Sequence, residues 1–191
     1  MTMTRNLLAV AAAVCTVCAL PMTAHAQQSS INLTGEVTKQ CMLGAPATAT
    51  LALGDLTGSD GKLNAGLLNN AALLSTDISN AWCNAPAVLT VSATTMNQGT
   101  AAPAYDPPAG FSRHITYTAA IGGWVSPISY RPMSNSVALP TSSSQAHAET
   151  LTITIGNLQT LNAGGTAEAA GQVVEAGNYS GTITLTLAAA Q

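Results

Sequence analysis

The sequence predicts an all-β, immunoglobulin-like antiparallel β-sandwich with one disulfide. Three observations predict it: short runs in which apolar and Thr-rich positions alternate, clusters of Gly and Pro between those runs, and a pair of cysteines behind an apolar leader. Alternation with a period of two is typical of strands that bury one face. Several short strands with such turn signals between them indicate a sandwich.

The N-terminal segment, residues 1–26, has the pattern of a secretory signal peptide. Arg5 gives a positively charged start, residues 7–20 form an apolar run, and Ala24-His25-Ala26 matches a small-x-small cleavage site. The apolar run is shorter than the roughly 20 residues that a membrane-spanning helix needs. We therefore expect cleavage after Ala26, export through the periplasm, and a mature chain without a membrane span.

Two cysteines, Cys41 and Cys83, remain after removal of the leader. In an oxidising compartment, a disulfide is the default state of such a pair. A metal site and a catalytic thiol are the functional alternatives, but no nearby His or second Cys pair supports either of them. We expect a disulfide, with no cofactor and no metal ion.

The balance of charge excludes some classes of partner. The chain carries eight acidic residues and has a formal net charge of −3. The basic residues beyond the leader are Lys39, Lys62, Arg113 and Arg131. Such a surface does not favour nucleic acid or an anionic membrane, so the mature chain must owe its solubility to Ser, Thr, Asn and Gln. A neutral, polar surface suits a protein that is built into an assembly.

The strand pattern recurs along one domain, predicted to span residues 41–191 and preceded by an N-terminal strand within 27–40. The predicted strands cover residues 31–37, 48–53, 88–93, 115–119, 151–155 and 179–187. Between them, the leucines of 63–74 predict an irregular or briefly helical connection, because Gly66 and two Asn weaken a helix there. The Ser-rich stretch 132–148 predicts a long surface loop.

Three parts of the sequence together resemble the chaperone–usher pilins. The alternating segment 31–37 leads into Cys41, and about forty residues later Cys83 belongs to a run that we expect to open the strand 88–93. Gly177-Asn178-Tyr179 then begins the last strand. The chain looks most like the archaic branch of that family and its relatives, the spore coat protein U-like domains. The resemblance covers both ends of the mature chain and the cysteine framework, whereas 99–148 matches no motif.

The resemblance implies a pilin-type, incomplete sandwich that lacks its final strand. A chaperone strand fills the gap first, and the N-terminal arm of the next subunit then replaces it, which is donor-strand complementation. The donor residues implied here are Ile31, Leu33, Gly35 and Val37. The residues of the strand that borders the groove are Tyr179, Ile183, Leu185 and Leu187. Because the sequence ends shortly after that strand, we expect one edge of it to stay open.

The implied function is that of a structural subunit of a surface fimbria or coat, located on the cell surface or secreted. The implied partners are a periplasmic chaperone, an outer-membrane usher and identical or related pilin subunits. Ile31, Leu33 and Val37 fit an ordinary first strand of their own domain equally well, so the sequence leaves both roles open.

Two other functions are alternatives. The chain could be a self-complete secreted β-sandwich that binds through its Pro-rich and Ser-rich loops, or serves as a coat component, without polymerising. An enzyme would need a nucleophile or converging acids and bases. His114 and His147 lack partners at metal-ligand or catalytic spacing, so we expect no enzyme. The scattered aromatic residues are expected to fill the core rather than to stack on carbohydrate.

Overall fold

A computed structural model describes residues 29–99 and 107–191. The predicted signal peptide and the first two residues of the predicted arm lie outside the described residues. The chain divides into two compact units, Met1–Glu36 and Val37–Gln191, and the second unit contains every strand described below. Its elements are β1 (Cys41–Met42), α1 (Ala65–Leu68), β2 (Leu74–Cys83), β3 (Ala87–Ala93), β4 (Met96–Gln98), β5 (Phe111–Ser112), β6 (His114–Gly122), β7 (Ile128–Tyr130), β8 (Leu139–Ser143), β9 (His147–Thr160), β10 (Val173–Val174), β11 (Tyr179–Ser180) and β12 (Ile183–Ala189).

The protein is an all-β, sandwich-like fold of antiparallel sheets, as the sequence predicts. A curled, half-barrel sheet has the order β1-β2-β9-β6-β4-β11, and β7 also pairs with β6. A three-stranded sheet has the order β12-β3-β8. The short strands β5 and β10 form a separate parallel pair. Among the residues that the structure describes, no helix is long and apolar enough to cross a membrane.

The central strand β9 shows why this sequence forms a sheet. Leu151, Ile153 and Ile155 are buried, while Thr152 and Thr154 between them are partly exposed. β9 pairs with β2 along one edge and with β6 along the other. One apolar face therefore packs into the core, and the Thr-rich face remains toward solvent.

The last predicted strand, 179–187, is two strands in the structure. β11 pairs with β4 in the half-barrel sheet, whereas β12 pairs with β3 in the three-stranded sheet. The facing strands β3 and β4 change sheets in the same way, on either side of residues 94–95. Sandwich corners are commonly made by strands that bend from one sheet into the other. Local alternation continues across such a bend, so the sequence pattern does not reveal it.

Three other predicted elements are wrong or only partly right. The run through Cys83 does not open β3: β2 ends at Cys83, and β3 begins in the other sheet. The predicted loop 132–148 contains β8 and the first residues of β9. The predicted strand 48–53 is absent: after Thr48 the chain leaves the edge of β2, and no strand within residues 29–99 and 107–191 pairs with it. The brief helix predicted within 63–74 is confirmed as α1.

The predicted disulfide is confirmed between Cys41 and Cys83. β1 is only two residues long and pairs with the end of β2, so that the two cysteines lie directly opposite each other. The bond therefore fastens the first residues of the domain to the half-barrel sheet, where the ladder by itself is too short to hold them.

Replacing both cysteines, Cys41→Ala with Cys83→Ala, is expected to lower the free energy of unfolding by about 4 kcal/mol. The physical reason is the entropy that a closed loop of this length removes from the unfolded chain. Urea unfolding of the mature chain measures it, with the wild-type chain in dithiothreitol as the matched control. Equal midpoints for the oxidised wild type and the double variant would contradict the expectation.

Candidate functional site

A groove with a volume of about 860 Å³ lies at the corner where the chain passes between the two sheets. One wall is the segment 46–57, and the other is the segment 174–183. The floor consists of inward-facing side chains of the half-barrel sheet, which are Leu74, Thr76, Met96, Tyr117, Ile153 and Ile155. Four of these six are apolar side chains of the core or packed against it, so the groove opens onto the hydrophobic core.

The outer edge of β12 is an unpaired hydrogen-bonding edge. In an antiparallel ladder, alternate residues direct their backbone groups to the same neighbour. Thr94 N donates to Thr182 O at 2.9 Å, and Ala190 N donates to Pro86 O at 2.8 Å, so the even-numbered residues of β12 bond to β3. The N–H and C=O groups of Ile183, Leu185 and Leu187 therefore point away from β3. Within the described residues, no strand pairs with that side of β12.

The side chains of the same residues keep β12 in place. Ile183, Leu185 and Leu187 are half-buried and pack against the core, whereas Thr184 and Thr186 are exposed. Ile183 lines the groove, and Leu185 and Leu187 lie further along β12, outside it. The strand thus presents a fixed row of backbone donors and acceptors that begins beside the groove.

The opposite wall, 46–57, is an extended segment without a ladder. Its beginning is attached to β2, because Ala47 N donates to Asp77 O at 2.7 Å and Thr48 N donates to Thr76 Oγ1 at 2.9 Å. Beyond that point, among the described residues, no backbone group of 49–54 bonds to another backbone group. Leu51 and Leu53 nevertheless pack against the core. Both walls of the groove therefore offer backbone groups that an added strand could pair with.

The Gly-x-Tyr sequence at 177–179 forms a tight corner in the second wall. The Tyr179 hydroxyl donates to the carbonyl of Glu175 at 2.9 Å, four residues upstream, and lies 3.3 Å from the carbonyl of Ser112. This bond back to the preceding backbone resembles the tyrosine corner of immunoglobulin-like sandwiches. Gly177 has φ of 154°, and a Cβ there would lie 2.7 Å from Gln98 Cγ. Glycine is needed because the backbone passes directly over Gln98.

A buried polar cluster stands behind that wall. Arg113 Nε lies 3.3 Å from Glu175 Oε2 and donates to Gln98 Oε1 at 3.0 Å. The side chains of Arg113 and Glu175 are only 7% and 14% exposed. Gln98 Nε2 donates in turn to the carbonyl of Ala176. Burial, together with the nearby Glu175 carboxylate, raises the pKa of Tyr179 to about 12.

The predicted donor residues lie outside regular secondary structure. Residues 29–40 form no strand, so the N-terminal strand predicted there is not formed. Ile31, Leu33 and Val37 are 86%, 93% and 84% exposed, and nothing lies within 4 Å of the position of a Cβ on Gly35. Their donor role stays a prediction.

The root of this arm is attached to the domain next to the disulfide. Asn84 exchanges bonds with Gln40, as Gln40 N donates to Asn84 Oδ1 at 2.7 Å and Asn84 N donates to Gln40 O at 3.0 Å. Asn84 Nδ2 also donates to Thr38 O, and Lys39 Nζ donates to Ala190 O, each at 2.9 Å. The chain is therefore held from Thr38 onward.

The structure does not bring the two candidate histidines together. His147 begins β9, whereas His114 begins β6 beside the far end of β9. His147 packs edge-on against Trp124, and His114 Nδ1 bonds to Asn97 Oδ1 at 2.7 Å. Burial lowers the pKa of His114. In the described part of the chain, no group of three or more His, Cys, Asp and Glu is placed to hold a metal ion.

Of the two walls, only Tyr179 and Ile183 of the second were assigned to a groove from the sequence, as the pilin resemblance implies. Within segment 46–57, the alternation of 48–53 predicts a strand, but no strand of the described residues pairs with it. Glu175 and Arg113, far apart in the sequence, carry no motif. The one available signal was Gly177-Asn178-Tyr179, which marks the corner in the second wall.

Comparison with known protein families and with curated proteins finds no match for this chain. What is established is an all-β fold of antiparallel sheets with one disulfide. The similarity to pilins rests on the sequence motifs alone.

Substitution Tyr179→Phe is expected to lower the free energy of unfolding near neutral pH by about 1 kcal/mol, because it removes the hydroxyl bond to the Glu175 carbonyl. The pKa of Tyr179 is raised to about 12 from the ordinary value of 10.0. Folding therefore favours the neutral phenol of Tyr179. This stabilisation is fully present below the pKa that Tyr179 has in the unfolded chain, and it is lost as pH rises through the pKa that Tyr179 has in the folded protein. Urea midpoints from about pH 8 to about pH 12 should show the wild-type advantage shrinking. A pH-independent difference would contradict this.

Gly177→Ala is expected to destabilise the domain by about 1–3 kcal/mol, because the residue is strained at this φ and its Cβ meets a held side chain. Gly122→Ala is the matched control, since nothing lies within 4 Å of a Cβ at that position. Thermal unfolding of the two variants compares them. Equal melting temperatures would show that the backbone at residue 177 relaxes freely.

Proposed function

We propose that this protein is a structural subunit of a surface fimbria or coat, and that subunits join by donor-strand complementation. The observation that carries the proposal is the unpaired edge of β12, which begins beside a groove that opens onto the core. An occupant that pairs with this edge would complete the sheet and cover the core in a single step. That is the β-augmentation mode of recognition.

The shape of the groove favours an extended polypeptide over a small molecule. Its volume alone suits either, since ligand pockets span about 300–1,000 Å³. Its borders favour the polypeptide, because β12 presents outward N–H and C=O groups on one side and, among the described residues, 49–54 have no backbone partners on the other. A row of such groups matches the repeat of a strand, and a compact ligand would leave most of them unpaired.

The chemistry of the arm fits such an occupant. Ile31 and Leu33 are two residues apart, so both would point to the same side of an inserted strand, and Val37 continues that side. Gly35 occupies the intervening position in the same phase and would fit where the groove is narrow. Each aliphatic side chain moved from water into the groove contributes roughly 1.5–3 kcal/mol. Three such side chains and a row of backbone bonds would hold a neighbour firmly.

The partners of this function are those that the pilin resemblance implies. A periplasmic chaperone would cover the groove before assembly, because an open apolar edge is an aggregation hazard. An outer-membrane usher would export the subunits, and identical or related subunits would supply the donor arms. The Cys41–Cys83 disulfide is consistent with this extracytoplasmic route.

The arm is expected to be necessary for assembly. We expect the wild-type mature chain to give a ladder of detergent-resistant oligomers on an unboiled denaturing gel. A mature chain with Ile31→Asp and Leu33→Asp should give no such ladder, because charged side chains cannot enter the groove. Val137→Asp is the matched control, since Val137 is also strongly exposed but lies outside the arm. A persistent ladder in the arm variant would contradict the proposal.

A peptide provides a second measurement on the same variant. A synthetic peptide of residues 29–40 should raise the melting temperature of the arm variant, since a ligand that binds only the folded state stabilises it. A scrambled peptide of the same composition is the control. If the wild-type chain stays monomeric at every concentration and the peptide has no effect, the chain is a self-complete sandwich that binds or coats without polymerising.

A further inference from the structure

The ion pair between Arg113 and Glu175 stands out among the polar contacts of the domain. Arg131–Glu168 is the other ion pair among the described residues, and it is far more exposed, at 29% and 42% against 7% and 14%. A buried ion pair is weak evidence of stability, because desolvation offsets most of its attraction. In some proteins such a pair instead fixes the geometry of the groups that it connects.

The geometry imposed here is that of a groove wall. Glu175, Ala176 and Tyr179 line the groove, while Arg113 and Gln98 stand behind them. Arg113 holds the Glu175 side chain, and Gln98 holds the Ala176 carbonyl. The backbone of Glu175 is held as well, since its N–H donates to Ser112 O at 3.0 Å.

The anchoring strands are the reason that this wall is rigid. Arg113 immediately precedes β6, and its carbonyl accepts from Gln98 N at 3.1 Å. Gln98 ends β4, opposite Tyr179. The cluster therefore ties the 174–179 wall to the strands that also supply Met96 and Tyr117 to the groove floor.

We propose that Arg113 and Gln98 are positioning residues for strand binding, holding the 174–179 wall at the distance from the 46–57 wall that an inserted strand needs. This inference rests on the proposed function and adds to it a determinant of strand affinity that does not touch the strand. Loss of the ion pair lets the wall move and impairs binding more than it impairs folding.

The test uses the mature chain with Ile31→Asp and Leu33→Asp, so that its own arm does not compete, and a fluorescent peptide of residues 29–40. Glu175→Gln in this background keeps the shape of the side chain and removes its charge. Glu168→Gln is the matched control, because it removes the other ion pair. Fluorescence anisotropy measures peptide affinity, and urea unfolding measures stability.

The expected result is a loss of peptide affinity on the order of tenfold for Glu175→Gln, a size typical of coupling through a packed network. Glu168→Gln is expected to leave peptide affinity within about twofold, because neither Glu168 nor its partner Arg131 lines the groove. Arg113→Lys keeps the charge without the planar fork and should give an intermediate loss. Because Glu175 lines the groove and Arg113 does not, the loss in Arg113→Lys is the one that separates positioning of the wall from direct contact with the peptide, and unchanged affinity in Arg113→Lys would contradict the inference. If Glu175→Gln does not fold, Glu175→Asp is measured against the same criterion.

Two further outcomes overturn the inference while leaving the proposed function in place. One is unchanged peptide affinity in Glu175→Gln. The other is an equal loss of affinity in both Gln variants, proportional to their loss of stability, which would make the ion pair merely structural. If the background chain itself binds no peptide, the proposed function fails, and the inference falls with it.

Discussion

The outer edge of β12 is the constraint on which the rest of the structure depends. Its backbone groups at Ile183, Leu185 and Leu187 have no partner strand within the described residues, yet their side chains pack against the core and prevent the strand from turning away. The opposite edge of the same small sheet is different. Pro140 lies within β8, opposite Thr90 of β3. Thr90 directs its backbone groups to β12 on the other side, so the backbone groups of Pro140 point away from β3. The outer edge of β8 therefore carries a proline nitrogen, which has no N–H to donate. Proline on an edge strand discourages pairing, and no such residue protects β12.

The corner beside that edge explains why the groove stays open. The chain passes from one sheet to the other twice, from β3 to β4 and from β11 to β12. These two segments pair with each other, and the floor of the groove is exposed where they bend. The wall formed by 174–179 cannot collapse into this space, because Gly177 passes over Gln98 and the Tyr179 hydroxyl bonds back to the Glu175 carbonyl. Behind the wall, Arg113 contacts Glu175 and Gln98, and Gln98 bonds to the Ala176 carbonyl, so buried polar contacts help to hold the wall.

The N-terminal arm has a bonded part and an exposed part. The disulfide and the bonds of Asn84 hold the chain from Thr38 onward, and the apolar residues before that point are exposed. In the function that we propose, a donor segment needs both properties. It must be anchored well enough to transmit a load to its own domain, and it must be free enough to adopt the strand conformation that its partner selects. Ordering such a segment costs conformational entropy, which the burial of its aliphatic side chains must exceed.

Local patterns in the sequence were enough to predict a strand-rich fold and the buried face of 151–155, because alternation with period two arises wherever one face of a strand is buried. The disulfide followed from the pair of cysteines behind the predicted leader. Local patterns were not enough to show that 179–187 changes sheets, that 48–53 has no partner, or that Arg113 and Glu175 meet. Each of these depends on which backbone edge or side chain lies next to which, and alternation carries no information about that. Residues 48–53 make the point directly, since a strand and an unpaired extended segment share one sequence pattern. By itself, the sequence determined which face a strand such as 151–155 buries; only the tertiary structure decided which segments become paired strands, because a hydrogen-bonding partner distant in the chain is supplied by the fold.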